Sequence, residues 1–394
     1  MKVKNKKINK LLFVVLIQVC ILFISTAVLA VENSLSSTGY PVTSKDIAIA
    51  RRKPNTFFAW GLTQNLNYKV EEVDKQIARK KTNTFFALGI AKNPAYVIEQ
   101  EDKKLAREKP NSVFAIGITK NPKFPIEDTD KETARNNPNS NFALGLTQNP
   151  NYVIEPKDLE IVKNNRESLF AGGIAKNKNY AISQEDIDFA RSMTDTFFSG
   201  AIALNPNYMI EEQDKELLRS DPKTIFAGGL ILNPNFIVDE KDKELARNNA
   251  VVPEGGNGSF DSLVLGSFLT YNPTYVVEDK DIELARNNPG SLFASGLALN
   301  PGFMISEEDI AIARKAFKSF FAASLVVRPD YKIETKDIKI ARSHLDIFFA
   351  HALTQNPNPS ALTIDNFLEV FVAVIYPLFQ ELLSGASNSE NHAL

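Results

Sequence analysis

The sequence predicts an all-α protein, an α-solenoid of eleven 28-residue helix-pair repeats with a C-terminal capping helix. Three observations predict it. Asp recurs at 46, 74, 102, 130, 158, 186, 214 and 242, then, after a step of 39, at 281, 309, 337 and 365. Whole columns repeat along with it, which is the signature of a repeat architecture. Composition is that of a globular chain: 394 residues, 44% hydrophobic and 23% charged, at a formal net charge of −2. That balance excludes collagen-like, coiled-coil and disordered classes for the bulk of the chain.

In chain order, residues 1–30 read as a signal peptide. Lys2, Lys4, Lys6, Lys7 and Lys10 form a positive stretch, residues 11–24 an apolar run, and Val28 and Ala30 stand at −3 and −1 of a cleavage point. Retained instead, residues 11–31 are long enough to anchor the chain in a bilayer. The lysine-rich start suggests a bacterial source. The only cysteine, Cys20, leaves with this segment, so the mature chain has no disulfide and no thiolate ligand. Losing five lysines takes the net charge to −7. That predicts no attraction to nucleic acid or anionic lipid, and a membrane role only if the segment is uncleaved. Residues 31–45 read as a lead-in to repeats spanning 46–364.

With each Asp as position 1, position 6 is always basic and position 13 is Phe in ten units, Leu265 being the exception. Position 14 is always small, position 17 always Leu or Ile, position 20 Asn in ten units, position 21 Pro in nine, and position 23 Tyr or Phe in ten. A first helix therefore runs from just before the Asp to the basic residue. Ser183 and Ser306 stand three residues before an Asp, as in a capping box. A second helix carries positions 13 and 17 on one face. Asn-Pro is expected to stop it, with Asn in the left-handed conformation. Such short helices are marginal alone, so neighbouring units must stack. At about 9 Å per packed helix, the stack would be an open superhelix about 100 Å long.

Residues 91–94 (AKNP), 105–107 (LAR) and 298–301 (ALNP) resemble motifs of leucine-rich variant repeats, a HEAT-like α-solenoid family. The resemblance covers 46–364, though this chain has longer units, Phe where the family favours Val or Leu, and no cysteine cluster. It implies an α-solenoid and, by analogy, protein binding.

The Asp and Arg columns are five residues apart and do not face each other on one helix. They suit the helix dipole, or form a ladder in which one unit's Arg reaches the next unit's Asp. The Tyr column reads as core. No metal is expected at His344 and His351, nor a chain of calcium sites along the acidic helix starts. No phosphate loop, His-Glu-x-x-His or Gly-x-Ser-x-Gly motif occurs, so an enzyme is not expected and no cofactor is implied.

Two features break the repeat. The 242–280 unit carries an 11-residue insertion around 251–259 (VVPEGGNGS), read as a surface or binding loop. Position 19 is Gln or Lys in units one to five and turns apolar in the next five, as Leu204, Leu232, Tyr271, Leu299 and Val327. That stripe is the candidate partner-binding surface. Alternatively, the apolar segment 367–383 folds back over it rather than capping the open end. The capping helix is expected at 365–385, before a disordered tail at 386–394. The expected function is a secreted or surface-anchored scaffold for a protein or peptide partner. The alternative is a glycan- or cell-wall-binding structural protein using exposed Tyr or Asn columns.

Overall fold

The computed structural model describes residues 39–222, 224–248, 250 and 260–356, without the side chains of 260–264. The expected signal peptide (1–30), the 251–259 insertion, and the expected capping helix and tail (365–394) lie outside these residues. The described chain is all-α, with 22 helices and no strand. Each unit gives a first helix of nine residues, such as Ser44–Arg52 and Thr335–Ser343, and a second helix, such as Phe57–Gln64 and Phe348–Gln355. First helices bury little beyond their Asp and the apolar residue at position 5, Ala in most units. Second helices are buried on nearly every side. Ser or Thr at position 11 caps most of them, as Thr56 Oγ1 accepts from Ala59 N–H.

Each second helix packs on that of the next unit, whereas a first helix packs mainly on its own partner. The layer whose members lie closest is the inner one. Its close approach needs small residues: a Cβ on Gly229 would run into the Gly200 carbonyl oxygen.

The solenoid is closed. The second helix of unit eleven packs on that of unit one. Arg342 Nε donates to Asp46 Oδ1 at 2.7 Å, Asn65 Nδ2 to Thr354 O at 2.6 Å, and Phe58 N–H to Leu345 O at 3.0 Å. The chain is therefore a ring, not the open rod expected from sequence, and its described units leave no open end to cap. The lead-in boundary also changes. In other units the position-23 amide donates to the position-20 carbonyl, as Tyr68 does to Asn65 at 2.9 Å. In unit eleven that donor is Tyr40, bonded to Asn356 O at 2.8 Å. Residues 40–45 thus complete the eleventh unit, which by its own sequence has Pro359 at position 23.

Two ladders run around the ring. In the outer one, every Asp at position 1 pairs with an arginine of the preceding unit, from Arg51–Asp74 at 2.7 Å to Arg342–Asp46. Unit five has Lys163 at position 6, and Arg166, three residues on, takes its place at 3.2 Å. The Asp also accepts from the amide three residues before it and, in several units, from the position-23 tyrosine, as Tyr96 Oη to Asp102 at 2.8 Å. A fully buried carboxylate is tolerated because its acceptor sites are filled.

The inner ladder corrects the reading of Asn. Asn65 has φ −62° and ψ 135°, extended rather than left-handed. Its column reaches back: Nδ2 donates to the position-18 carbonyl of the preceding unit, as Asn233 to Ala203 O at 2.7 Å, in units other than five and ten. In unit ten, where Asn is missing, Arg328 Nη1 makes the same reach to Ala298 O at 2.8 Å.

Candidate docking surfaces

The connection from second to first helix is held rigidly. Asn Oδ1 accepts from the amide two residues on, as Asn207 N–H to Asn205 Oδ1 at 2.9 Å, and the position-23 amide closes the turn. The chain then runs extended, so successive side chains point to opposite sides. Position 23 goes inward and all its rings are buried, including Tyr40, Tyr208 and Tyr331. Position 24 must therefore point out. It is Val97, Pro125, Val153, Ala181, Met209, Ile237, Val276 and Met304 in eight consecutive units, all exposed, with the six large ones between 62% and 84% accessible. Lys332, Pro41 and Lys69 occupy the rest of the circle, around the seam. Because the ring closes on itself, equivalent positions lie on one circle, and the eight residues form an arc along one rim.

Position 26 lies on the same side of this extended strand and is mostly Glu. These carboxylates are neutralised by the preceding unit. Lys131 and Arg135 both bond Glu155, and the Lys131 hydrogen bond leads in holding its carboxyl down at about 2. Glu278 is held at about 2 in the same way, first by Lys243. The arc is thus an apolar strip backed by a self-neutralised collar. Sequence reasoning missed it, although the signal was present. Runs such as Tyr208-Met209-Ile210 and Phe236-Ile237-Val238 put three apolar residues in an extended stretch that can bury only alternate ones.

The sequence-derived stripe lies elsewhere. Positions 12, 15 and 19 share the face of the second helix turned away from its first helix. The structure does bring Leu204, Leu232, Tyr271, Leu299 and Val327 into one column there. It is not an open strip: Tyr271, Leu299 and Val327 are buried, and Leu204 and Leu232 are half-buried. Around the rest of the circle the column carries Lys92, Lys120 and Lys176, the last beside Leu204, and Gln355 donates to Gln64 across the seam at 3.0 Å. At the seam this face is aromatic. Trp60 stacks on His351 at 4.2 Å between centroids and on Phe85 at 5.5 Å, and Phe57 meets Phe348 at 4.5 Å. His351 is fully buried, its Nδ1 faces Phe57 O at 3.2 Å, and burial pushes its pKa down to about 3.

His344 turns instead to the Ile340 carbonyl. Among the described residues no group of His, Cys, Asp or Glu is arranged to hold a metal ion, and no helix is long and apolar enough to cross a membrane. Compared with protein-family models, curated proteins and solved structures, the chain matches none.

Proposed function

We propose that this protein is a secreted or surface-anchored scaffold that docks a protein or peptide partner on the apolar rim. The exposed arc at position 24 carries the reading. Exposed apolar side chains at the same position in eight consecutive units exceed what scattered surface residues need, and apolar surface so concentrated marks interaction sites. The collar supports a protein over an anionic surface, because its charges are already paired. The basic and apolar N-terminal segment supports export, and its lysines a bacterial source. Likeness to leucine-rich variant repeats, HEAT-like solenoids, supports protein binding by analogy. The glycan alternative needs exposed Tyr or Asn columns, and the position-23 rings and every position-20 Asn but Asn177 are buried.

Residues 31–394 are the bait for the test, wild type beside a Met209→Lys/Ile237→Lys/Met304→Lys triple variant. Each change should alter stability by no more than about 0.5 kcal/mol, since these side chains stand in solvent. Each should weaken partner binding by about 1 kcal/mol or more where it anchors an interface. Equal affinity of the two baits for a captured partner would sink the rim reading. N-terminal sequencing of the exported protein, expected to begin at Val31, tests the targeting part.

A further inference from the structure

We infer that the inner face of the ring seats the chain's own C-terminal apolar segment, residues 367–383 (FLEVFVAVIYPLFQELL). The inference concerns a different surface from the rim and does not rest on the rim's partner.

Four observations carry it. The first is size. Eleven helices packed 8–10 Å apart give a circumference of about 100 Å, which puts their axes about 16 Å from the ring centre. Taking off a helix body of about 5 Å leaves a bore about 20 Å across, room for one helix of about 10–12 Å and the side chains around it. The second is burial. Trp60, Leu88, Ile116 and Leu144, at position 15 on the inner face of units one to four, are completely buried, whereas in units six and seven Leu204 and Leu232 are half-buried and Ile225 is exposed on that face. A water-filled bore would wet the first four.

The third is charge. Positions 12, 15 and 19 hold no Asp or Glu in any unit, and position 19 holds Lys92, Lys120 and Lys176. Residues 357–394 contain no Lys or Arg, and they carry Asp365, Glu369, Glu381 and Glu390. An apolar segment with acidic residues complements an apolar wall with lysines at one mouth. The fourth is the tether. Asn356 directly follows position 19 of unit eleven, so the chain departs beside that mouth. The ten residues to Phe367 can span about 35 Å, twice the distance to the ring centre.

The protein supplies its own probe. Trp60 is its only tryptophan, and the mature chain has no cysteine. In residues 31–394 carrying Ala373→Cys, a nitroxide on that cysteine should quench most of the Trp60 emission relative to a diamagnetic analogue, independently of protein concentration. Absence of quenching overturns the inference. Quenching that grows with concentration also overturns it, and assigns the bore to a second copy. A charge reversal covers the case where the label disturbs folding. Glu369→Lys/Glu381→Lys in the unlabelled chain should raise acrylamide quenching of Trp60 severalfold, with the helical circular dichroism kept. Adding Lys120→Glu/Lys176→Glu should reverse the rise. Unchanged quenching in the first variant, or no reversal in the second, counts against the segment.

Discussion

The seam between units eleven and one can be set beside the junction between units two and three. At the interior junction Arg79 reaches Asp102 at 2.8 Å, Asn121 reaches Ala91 O at 2.8 Å, and Phe114 N–H reaches Thr82 O at 3.0 Å. At the seam Arg342, Asn65 and Phe58 repeat these reaches across nearly 300 residues of sequence. The difference is covalent. The interior junction is crossed by the chain itself, while at the seam the chain departs after Asn356 and residues 40–45 fill the gap. Closure is thus made of the ordinary repeat contacts. An open solenoid can lose a terminal unit and keep the rest, whereas a ring has no terminal unit to lose.

The largest effect should come from changing the unit count. Deleting residues 46–101 removes two whole units, and an open solenoid would survive as a shorter rod. Nine units must bend further at every junction to close, against helices already packed backbone to backbone at Gly229. The deletion should lose the cooperative melt seen by circular dichroism. A sharp melt near that of the parent would show that the ring tolerates opening.

Next in size is a matched pair. Arg79→Ala and Arg342→Ala each strip a fully buried carboxylate of its cation. Removing one partner of a buried pair costs about 3–5 kcal/mol, and the low end fits here because the arginines are partly accessible. The two variants should cost alike. A large loss for Arg79→Ala with almost none for Arg342→Ala would mean that the seam is open in solution.

The units, the helix pairs and the Asp–Arg ladder were legible in the sequence because each rests on a column with a simple periodic meaning. Closure was not, since curvature per unit is a property of packing. One trace of it was present. Position 23 is aromatic in ten units and fails only at Pro359, while Tyr40 stands six residues before Asp46, the same offset as Tyr68 from Asp74. The Asn column was misread because local propensity names a helix stop, while its amide serves the neighbouring unit. Of the surfaces, the position-19 column was found but its burial was not, since which face of a buried helix meets solvent depends on the ring.

Above the carboxylate range, His351 gives the seam a pH dependence that interior junctions lack. Burial holds it neutral in the folded ring, with a pKa near 3 against an ordinary value of about 6.5. Its contribution is therefore complete above pH 6.5 and is lost as pH falls from there towards 3. The loss is about 1.4 kcal/mol per pH unit, or about 2 kcal/mol at pH 5. Asp46 is also lowered: burial pushes it up, but the bonds from Arg342 and Thr43 outweigh that. Its contribution fades only below about pH 4, which leaves the window from 6.5 to 4 to the histidine. Melting at pH 7 and pH 5 should differ in the parent, and much less in His351→Phe. Equal shifts in both would place the titrating group elsewhere.

The smallest effect compares two interior units. Asp214 accepts from the Tyr208 hydroxyl at 3.0 Å, whereas Asp242 is preceded at the same offset by Phe236, which has none to give. Both rings are buried and both carboxylates are fully enclosed. A hydrogen bond to a charged group contributes about 1.5–3 kcal/mol at most, and less where the acceptor already has other donors. Asp242 has Arg219 at 3.0 Å and the Asp239 amide at 3.1 Å. Phe236→Tyr should therefore stabilise by about 0.5–1 kcal/mol, and Tyr208→Phe should destabilise by about 1 kcal/mol. Both are read as shifts in denaturant midpoint at constant slope. If Phe236→Tyr lowers stability instead, the ring in that unit is packed too tightly for a hydroxyl, and the units differ in shape as well as in side-chain chemistry.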